Sequence, residues 1–198
     1  RIRDIKQESS ELELRTESGI RLVPVTSSMK GDSELISRIA EWRRSAQYAF
    51  PTQFEVTEPG TSKWLDKLID ETEDRLLFLL HDGEQYFGHI GLFRFNYHKR
   101  RCEIDNIVRG IENIHPGAME TSIRTMMKWA RESLGVVDLY LKVFSDNERA
   151  LNLYKKLGFV EVHRQGLHRI SENGVVEWVP QLADTCLLYT SPSPRDRG

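Results

Sequence analysis

One turn and four side chains hold the residue types that chemistry beside a bound anion would use. The turn runs over 109–117, with Gly110, Pro116 and Gly117 placed between a β-rich run and an amphipathic run. A helix that starts there points unpaired N–H groups and its positive dipole end outward, which suits a phosphate or pyrophosphate. The plainer alternative is a strand-to-helix turn with Pro116 at a first helical position. Glu103 and Asp105 are two apart in the preceding run, so on a strand they share a face. They could act as bases, or bind substrate and loops as ordinary polar groups. Asn147 and Tyr154 are seven apart on a later amphipathic run, two helical turns, so they project from one side. Asn147 is a natural N-cap. Tyr154 carries a phenolic proton, or else packs on the apolar stripe of Ala150, Leu153 and Leu157.

The elements that must position these groups follow from periodicity. Residues 102–108 read as a strand, 117–134 as a helix, 136–144 as a strand and 147–157 as a helix. Upstream, 20–26 is β-branched and alternating. Asp32 or Ser33 caps a helix to about Gln47, with Leu35, Ile39, Trp42 and Ala46 inward, and Phe50-Pro51 ends it. Glu58-Pro59-Gly60 reads as a turn, and Thr61 or Ser62 caps a second helix to Glu73. Residues 75–81 form a nearly continuous apolar strand. Asp82-Gly83 is a hairpin cue leading to a partner strand at 85–95. After Phe159 come short strands at 160–164 and 175–179 around Asn173-Gly174. The order β-α-α-β-β-β-α-β-α-β, with one more strand, predicts an α/β fold: a mixed sheet with helices on both faces.

Composition narrows the function classes. The chain has 198 residues, room for one domain with a substantial core. A net charge of −2 offers nothing for nucleic acid or an anionic membrane, and no apolar run approaches membrane-spanning length. No signal peptide is visible, so the cytoplasm is the expected compartment. Cys102 and Cys186 form no disulfide framework, and the six histidines have no ligand spacing, so no metal is expected. Residues 1–19 read as a charged lead-in that starts at a fragment boundary, since no Met opens the chain. Residues 20–184 read as the domain. The tail 185–198 lacks helical or strand period, resembles translated adapter sequence, and is set aside as non-native or disordered.

The run Asp146-Asn147-Glu148-Arg149-Ala150, followed by Leu153-Tyr154-Lys155-Lys156-Leu157-Gly158-Phe159, resembles the closing motif of the GCN5-related N-acetyltransferases. Glu103-Ile104 and Gly117-Ala118-Met119 resemble that family's acetyl-CoA motif. The branch it looks most like holds ribosomal-protein N-terminal and amino-sugar N-acetyltransferases, and the likeness covers about 20–178. It departs at the turn. His115 stands where the family's first glycine is expected, so a pyrophosphate would be held somewhat differently.

The resemblance implies a twisted sheet of six or seven strands, four helices, and acetyl-CoA as co-substrate with no metal. It implies binding at Ile107, Val108, Arg109, Gly110, His115, Gly117, Ala118, Met119 and Asn147. The strand is expected to splay at Ile107 and Val108, whose backbone would bond pantetheine amides and hold an oxyanion. Glu103 is the expected base for the amine, with Asp105 in reserve, and Tyr154 the expected proton donor to the departing thiolate. Arg109 either pairs with a cofactor phosphate or stays a solvated turn arginine. Trp42, Arg43 and Trp64 border the acceptor wall in that family; the plainer alternative is core packing for the tryptophans and a solvated face for Arg43. Cys102 begins a strand directly after Arg100 and Arg101 and is not read as a nucleophile, so direct attack is expected rather than an acyl-cysteine. The acceptor expected first is an amino sugar or sugar nucleotide. A protein N-terminus and a non-catalytic acyl-CoA-binding module are the alternatives. The partners allowed for are a small-molecule amine and, as an assembly, a homodimer.

Overall fold

A computed structural model describes residues 2–7, 12–112 and 114–190. Its elements are α1 (Ile2–Gln7), β1 (Leu14–Arg15), β2 (Arg21–Pro24), α2 (Ser33–Ala46), β3 (Thr52–Gln53), α3 (Glu58–Asp70), β4 (Arg75–His81), β5 (Tyr86–Asn96), β6 (Arg101–Arg109), α4 (Ala118–Leu134), β7 (Asp138–Lys142), α5 (Glu148–Lys156), β8 (Val160–Glu172) and β9 (Val175–Thr190). The strands form one mixed sheet in the order β1-β2-β4-β5-β6-β7-β9-β3, with β8 on β9. Seven of the nine strands are longer than two residues, which agrees with the expected six or seven.

The run Arg75–His81 shows why β4 reads as apolar throughout. Leu76, Phe78 and Leu80 face a core shared with α4 and α5. Leu77 and Leu79 face the opposite core, beneath α2 and α3. A strand covered on both faces needs no polar alternation. On α4 the buried residues Ala118, Ser122, Ile123, Met126, Met127 and Ala130 make a single helical stripe.

Several boundaries differ from the sequence reading: β8 runs to Glu172 rather than 164, and the two-residue strands β1 and β3 are additional. Helix α3 begins at Glu58, not after Gly60. Thr57 caps it by accepting from Gly60 N at 3.1 Å, and Pro59 sits in the first turn, where no N–H is needed. The lead-in contains α1, whose Ile2 and Ile5 are buried in the α4-side core and whose Lys6 Nζ donates to Leu68 O at 2.7 Å. Two apolar residues three apart were too few to register as periodicity. Strand β9 continues through 185–190, inside the tail whose sequence lacks a strand period; Leu188, Tyr189 and Thr190 pair with β7. Strand ladders are made by backbone, so the missing side-chain pattern did not prevent pairing. The rest of that tail, 191–198, lies outside the described residues. Asn173 and Gly174, both at positive φ, make the tight β8–β9 turn that the dipeptide predicts.

Candidate active site

The site opens where sheet pairing stops. Strand β6 runs parallel to β7 for three pairs, Arg101↔Asp138, Cys102↔Leu139 and Glu103↔Tyr140. It then continues to Arg109 with its β7 edge free, bordering a cleft of about 1300 Å³. Ile107 and Val108 line that cleft, at the expected splay. An open strand edge can bond an extended amide chain as an added strand would.

A bulge sharpens the splay, and the sequence reading did not anticipate it. From Gly91↔Asp105 to His89↔Val108, β5 advances two residues while β6 advances three. Asn106 takes the extra step at φ 50°. Its N–H donates to Asp105 Oδ1 at 2.7 Å and its amide to Asp105 Oδ2 at 2.9 Å. His89 Nδ1 donates to Asn106 O at 2.7 Å, because a carbonyl only accepts. The signal was present: Asp-Asn in mid-strand is a poor strand pair, and Asn tolerates left-handed backbone. Such bulges re-aim the residues that follow.

Helix α4 supplies the anion end. Gly117 is its N-cap at φ 83°, and no side chain caps the first turn. His115, Gly117, Ala118 and Met119 all border the cleft; His115 O accepts from Ala118 N at 3.1 Å. Arg109 borders it too, its Nε donating to Ile111 O at 2.9 Å. Burial holds the Arg109 guanidinium below the usual arginine range, and the charge of Arg149 on α5 adds to this. Two arginines that repel across a helix start complement an anion between them. Arg149 and Lys156 also line the cleft; the sequence reading quotes both in the closing motif but assigns neither a role.

Gly110 is the one candidate that the structure removes from the cleft. A Cβ there would lie 2.2 Å from Trp42 Cδ1 and Nε1, so the residue is glycine to admit the indole. Trp42 is 3% exposed and cannot easily retreat. Gly110→Ala is therefore expected to cost about 1–3 kcal/mol of stability, read as a lower denaturation midpoint. Trp42→Phe in the same chain should restore part of the loss.

Tyr154 is 6% exposed, its ring edge-on to Phe159 and its side chain bordering the cleft. Burial, then the charge of Asp105, pushes its phenol above the usual value, so it keeps its proton at neutral pH. Asn147 caps α5, accepting from Ala150 N at 3.2 Å, and lines the same cleft. Glu103 is 6% exposed and tied to Arg94 Nη1 at 2.9 Å, with Lys142 Nζ at 3.8 Å. Of the two carboxylates, Asp105 is the one whose charge reaches the phenol. Cys102 is fully buried, and burial pushes its thiol up to about 12, with the Asp138 and Glu103 charges adding to the effect. A thiol in that state is no nucleophile.

On the acceptor side, Trp42 is core and Trp64 is partly buried at the cleft wall. Arg43 does not lie on a solvated face as its plainer alternative had it. Its guanidinium stacks on Phe50 at 3.3 Å, donates to Thr52 O at 3.1 Å and lines the cleft.

A sheet that opens after a short parallel pair, an uncapped glycine-started helix and a phenol beside the opening define the acyl-CoA N-acyltransferase class of fold. Residues 20–160 match the acetyltransferase (GNAT) domain, and the chain belongs to that family. It is 31% identical over 109 residues to a spermidine N(1)-acetyltransferase of Escherichia coli (strain K12), a match covering 55% of this chain and 57% of the relative. The chain thus spans little more than half the length of that curated relative. Its fold is similar to a ribosomal L7/L12 alpha-N-protein acetyltransferase in complex with coenzyme A: TM-score 0.72, 14% identity, 93% of this chain and 100% of that one. It is also similar to the spermidine N-acetyltransferase of Vibrio cholerae in complex with CoA and spermine: TM-score 0.62, 20% identity, 86% of this chain and 93% of that one. Among the described residues no helix is long and apolar enough to cross a membrane.

Proposed function

We propose that the protein transfers the acetyl group of acetyl-CoA to a primary amine of a small molecule, an amino sugar or sugar nucleotide, by direct attack in a ternary complex. The observation that carries this reading is the free β6 edge beyond Glu103, with Tyr154 at its side. The backbone at Ile107 and Val108 holds the pantetheine arm and the carbonyl oxygen. Arg109, Arg149 and the α4 N-terminus take the phosphates. The amine nitrogen attacks the thioester carbon, a C–N bond forms, and the C–S bond breaks with its electron pair on sulfur. The proton lost from nitrogen passes to Asp105 or Glu103, directly or through water. Tyr154 donates a hydrogen bond to the departing sulfur and so stabilises the charge that develops there. The cytoplasm is the proposed location.

The sequence likeness to spermidine acetyltransferases favours a second acceptor, a polyamine. Release of free thiol from acetyl-CoA, measured across amino sugars, polyamines and peptide N-termini, tests both. Thiol release that depends on one amine class identifies the acceptor. Tight acetyl-CoA binding with no release for any amine would leave a non-catalytic binding module instead. Asp105→Asn and Glu103→Gln, assayed across pH, tell which carboxylate takes the proton: its loss should be repaired at high pH, where the amine is already neutral.

A further inference from the structure

The charge lining the acceptor half of the cleft does not suit a polycation. Arg43 sits there with Nη2 on Thr52 O and Nη1 buried without a partner. Its guanidinium carbon lies 3.3 Å from the Phe50 ring centre and 5.7 Å from that of Phe54, and burial lowers it to about 10 against the raising effect of Asp105. Among the described residues no carboxylate lies within ion-pair distance of it. Arg75 repeats the pattern in the same cleft: 3.7 Å over the Phe93 ring, Nε buried and unpartnered. Of the carboxylates lining this side, Glu103 is engaged by Arg94, Asp105 is turned onto the Asn106 amide and N–H, and Glu55 beside Phe54 is exposed to solvent. Leaving a cation desolvated and unpaired is costly, so such a group is normally matched by something.

We propose that Arg43 binds an anionic group, a phosphate or a carboxylate, carried by the amine acceptor. This rests on the acetyltransferase reading and narrows it. The acceptor is an amine bearing negative charge, and an amine with only positive charge is a poor substrate. The stacked, half-desolvated guanidinium is already oriented, so little freedom is lost when an anion docks.

Matched pairs test the idea: glucosamine 6-phosphate against glucosamine, and an amino acid against its amide, with spermidine beside them. The anionic member of one pair should be preferred about tenfold or more in kcat/KM, the usual worth of a charge-assisted bond. The pair that shows the preference tells phosphate from carboxylate. In Arg43→Gln that ratio should fall towards one, through KM for the anionic acceptor. Equal rates for both members of each pair, or spermidine as the best acceptor, would overturn the proposal. So would an Arg43→Gln variant that slows every acceptor alike, since that marks a structural strut. Calorimetric titration of glucosamine 6-phosphate and of the amino acid into the CoA-bound protein separates the two readings. Binding that needs Arg43 but yields no acetylation would keep the anion site at Arg43 and overturn its assignment to an acetyl acceptor. Absence of Arg43-dependent binding for both would sink this one alone.

Discussion

Tyr154→Phe is expected to lower kcat about 10- to 100-fold while leaving the acetyl-CoA Kd unchanged. The size follows from the bond removed: one hydrogen bond to a charged group, about 1.5–3 kcal/mol, converted at ~1.4 kcal/mol per decade. The phenol is ordinarily near pKa ~10 and a thiol near ~8.5. Burial and Asp105 push Tyr154 higher still. Complete proton transfer from phenol to thiolate is therefore uphill. Tyr154 acts as a hydrogen-bond donor that stabilises the charge developing on sulfur, not as a strong acid. That distinction can be measured. Because the phenol stays protonated past its ordinary range, its titration should cause no fall in kcat between neutral pH and about pH 9.5. Stopped-turnover assays of both proteins across that range check it. A wild-type alkaline fall that vanishes in the phenylalanine variant would contradict the elevated phenol. A variant with full kcat would return Tyr154 to the core, where its ring already packs on Phe159.

Elements whose signals are local came through: the Asp32 and Asn147 caps, the apolar β4, the Asn173-Gly174 turn and the glycine start of α4. Each depends on neighbours within a few residues. Features that depend on distant chain did not. Gly110 looks like a phosphate-loop glycine, but its requirement comes from Trp42, far away in sequence. Arg43 reads as a solvated helix residue because its covering aromatics, Phe50 and Phe54, lie beyond the helix end. The bulge at Asn106 shifts register against β5, and register is a property of the pair of strands. The cleft residues on β6 were nevertheless legible, because a strand edge keeps its order even when its partner leaves. Glu103 was legible as a carboxylate facing the site, but its clasp by Arg94 depends on the β5–β6 pairing.

His89 should make the fold sensitive to acid. Its imidazole is lowered from 6.5 to about 4, chiefly by burial; the Asn106 carbonyl opposes the shift and Arg43 reinforces it. Above pH 6.5 both folded and unfolded chains carry it neutral, so stability there is unaffected. Between 6.5 and 4 the unfolded chain binds a proton that the folded one refuses, and stability falls as pH falls. A shift from 6.5 to about 4 at ~1.4 kcal/mol per unit gives a loss approaching about 3 kcal/mol. Denaturant midpoints of the wild type and His89→Gln, taken at intervals from neutral pH to 4, check this. The glutamine amide can still donate to the Asn106 carbonyl but cannot titrate, so its acid slope should be shallower by that amount. Parallel slopes would remove His89 from the acid response. The consequence reaches the site, because His89 grips the carbonyl of the bulge residue that precedes Ile107 and Val108. A proton forced onto Nε2 places a second charge beside Arg43 in a dry pocket, and opening the bulge is the way to rehydrate it. Acetyl-CoA affinity should therefore weaken over the same pH window in the wild type and much less in the glutamine variant, which ties the cleft's shape to the neutrality of one buried ring.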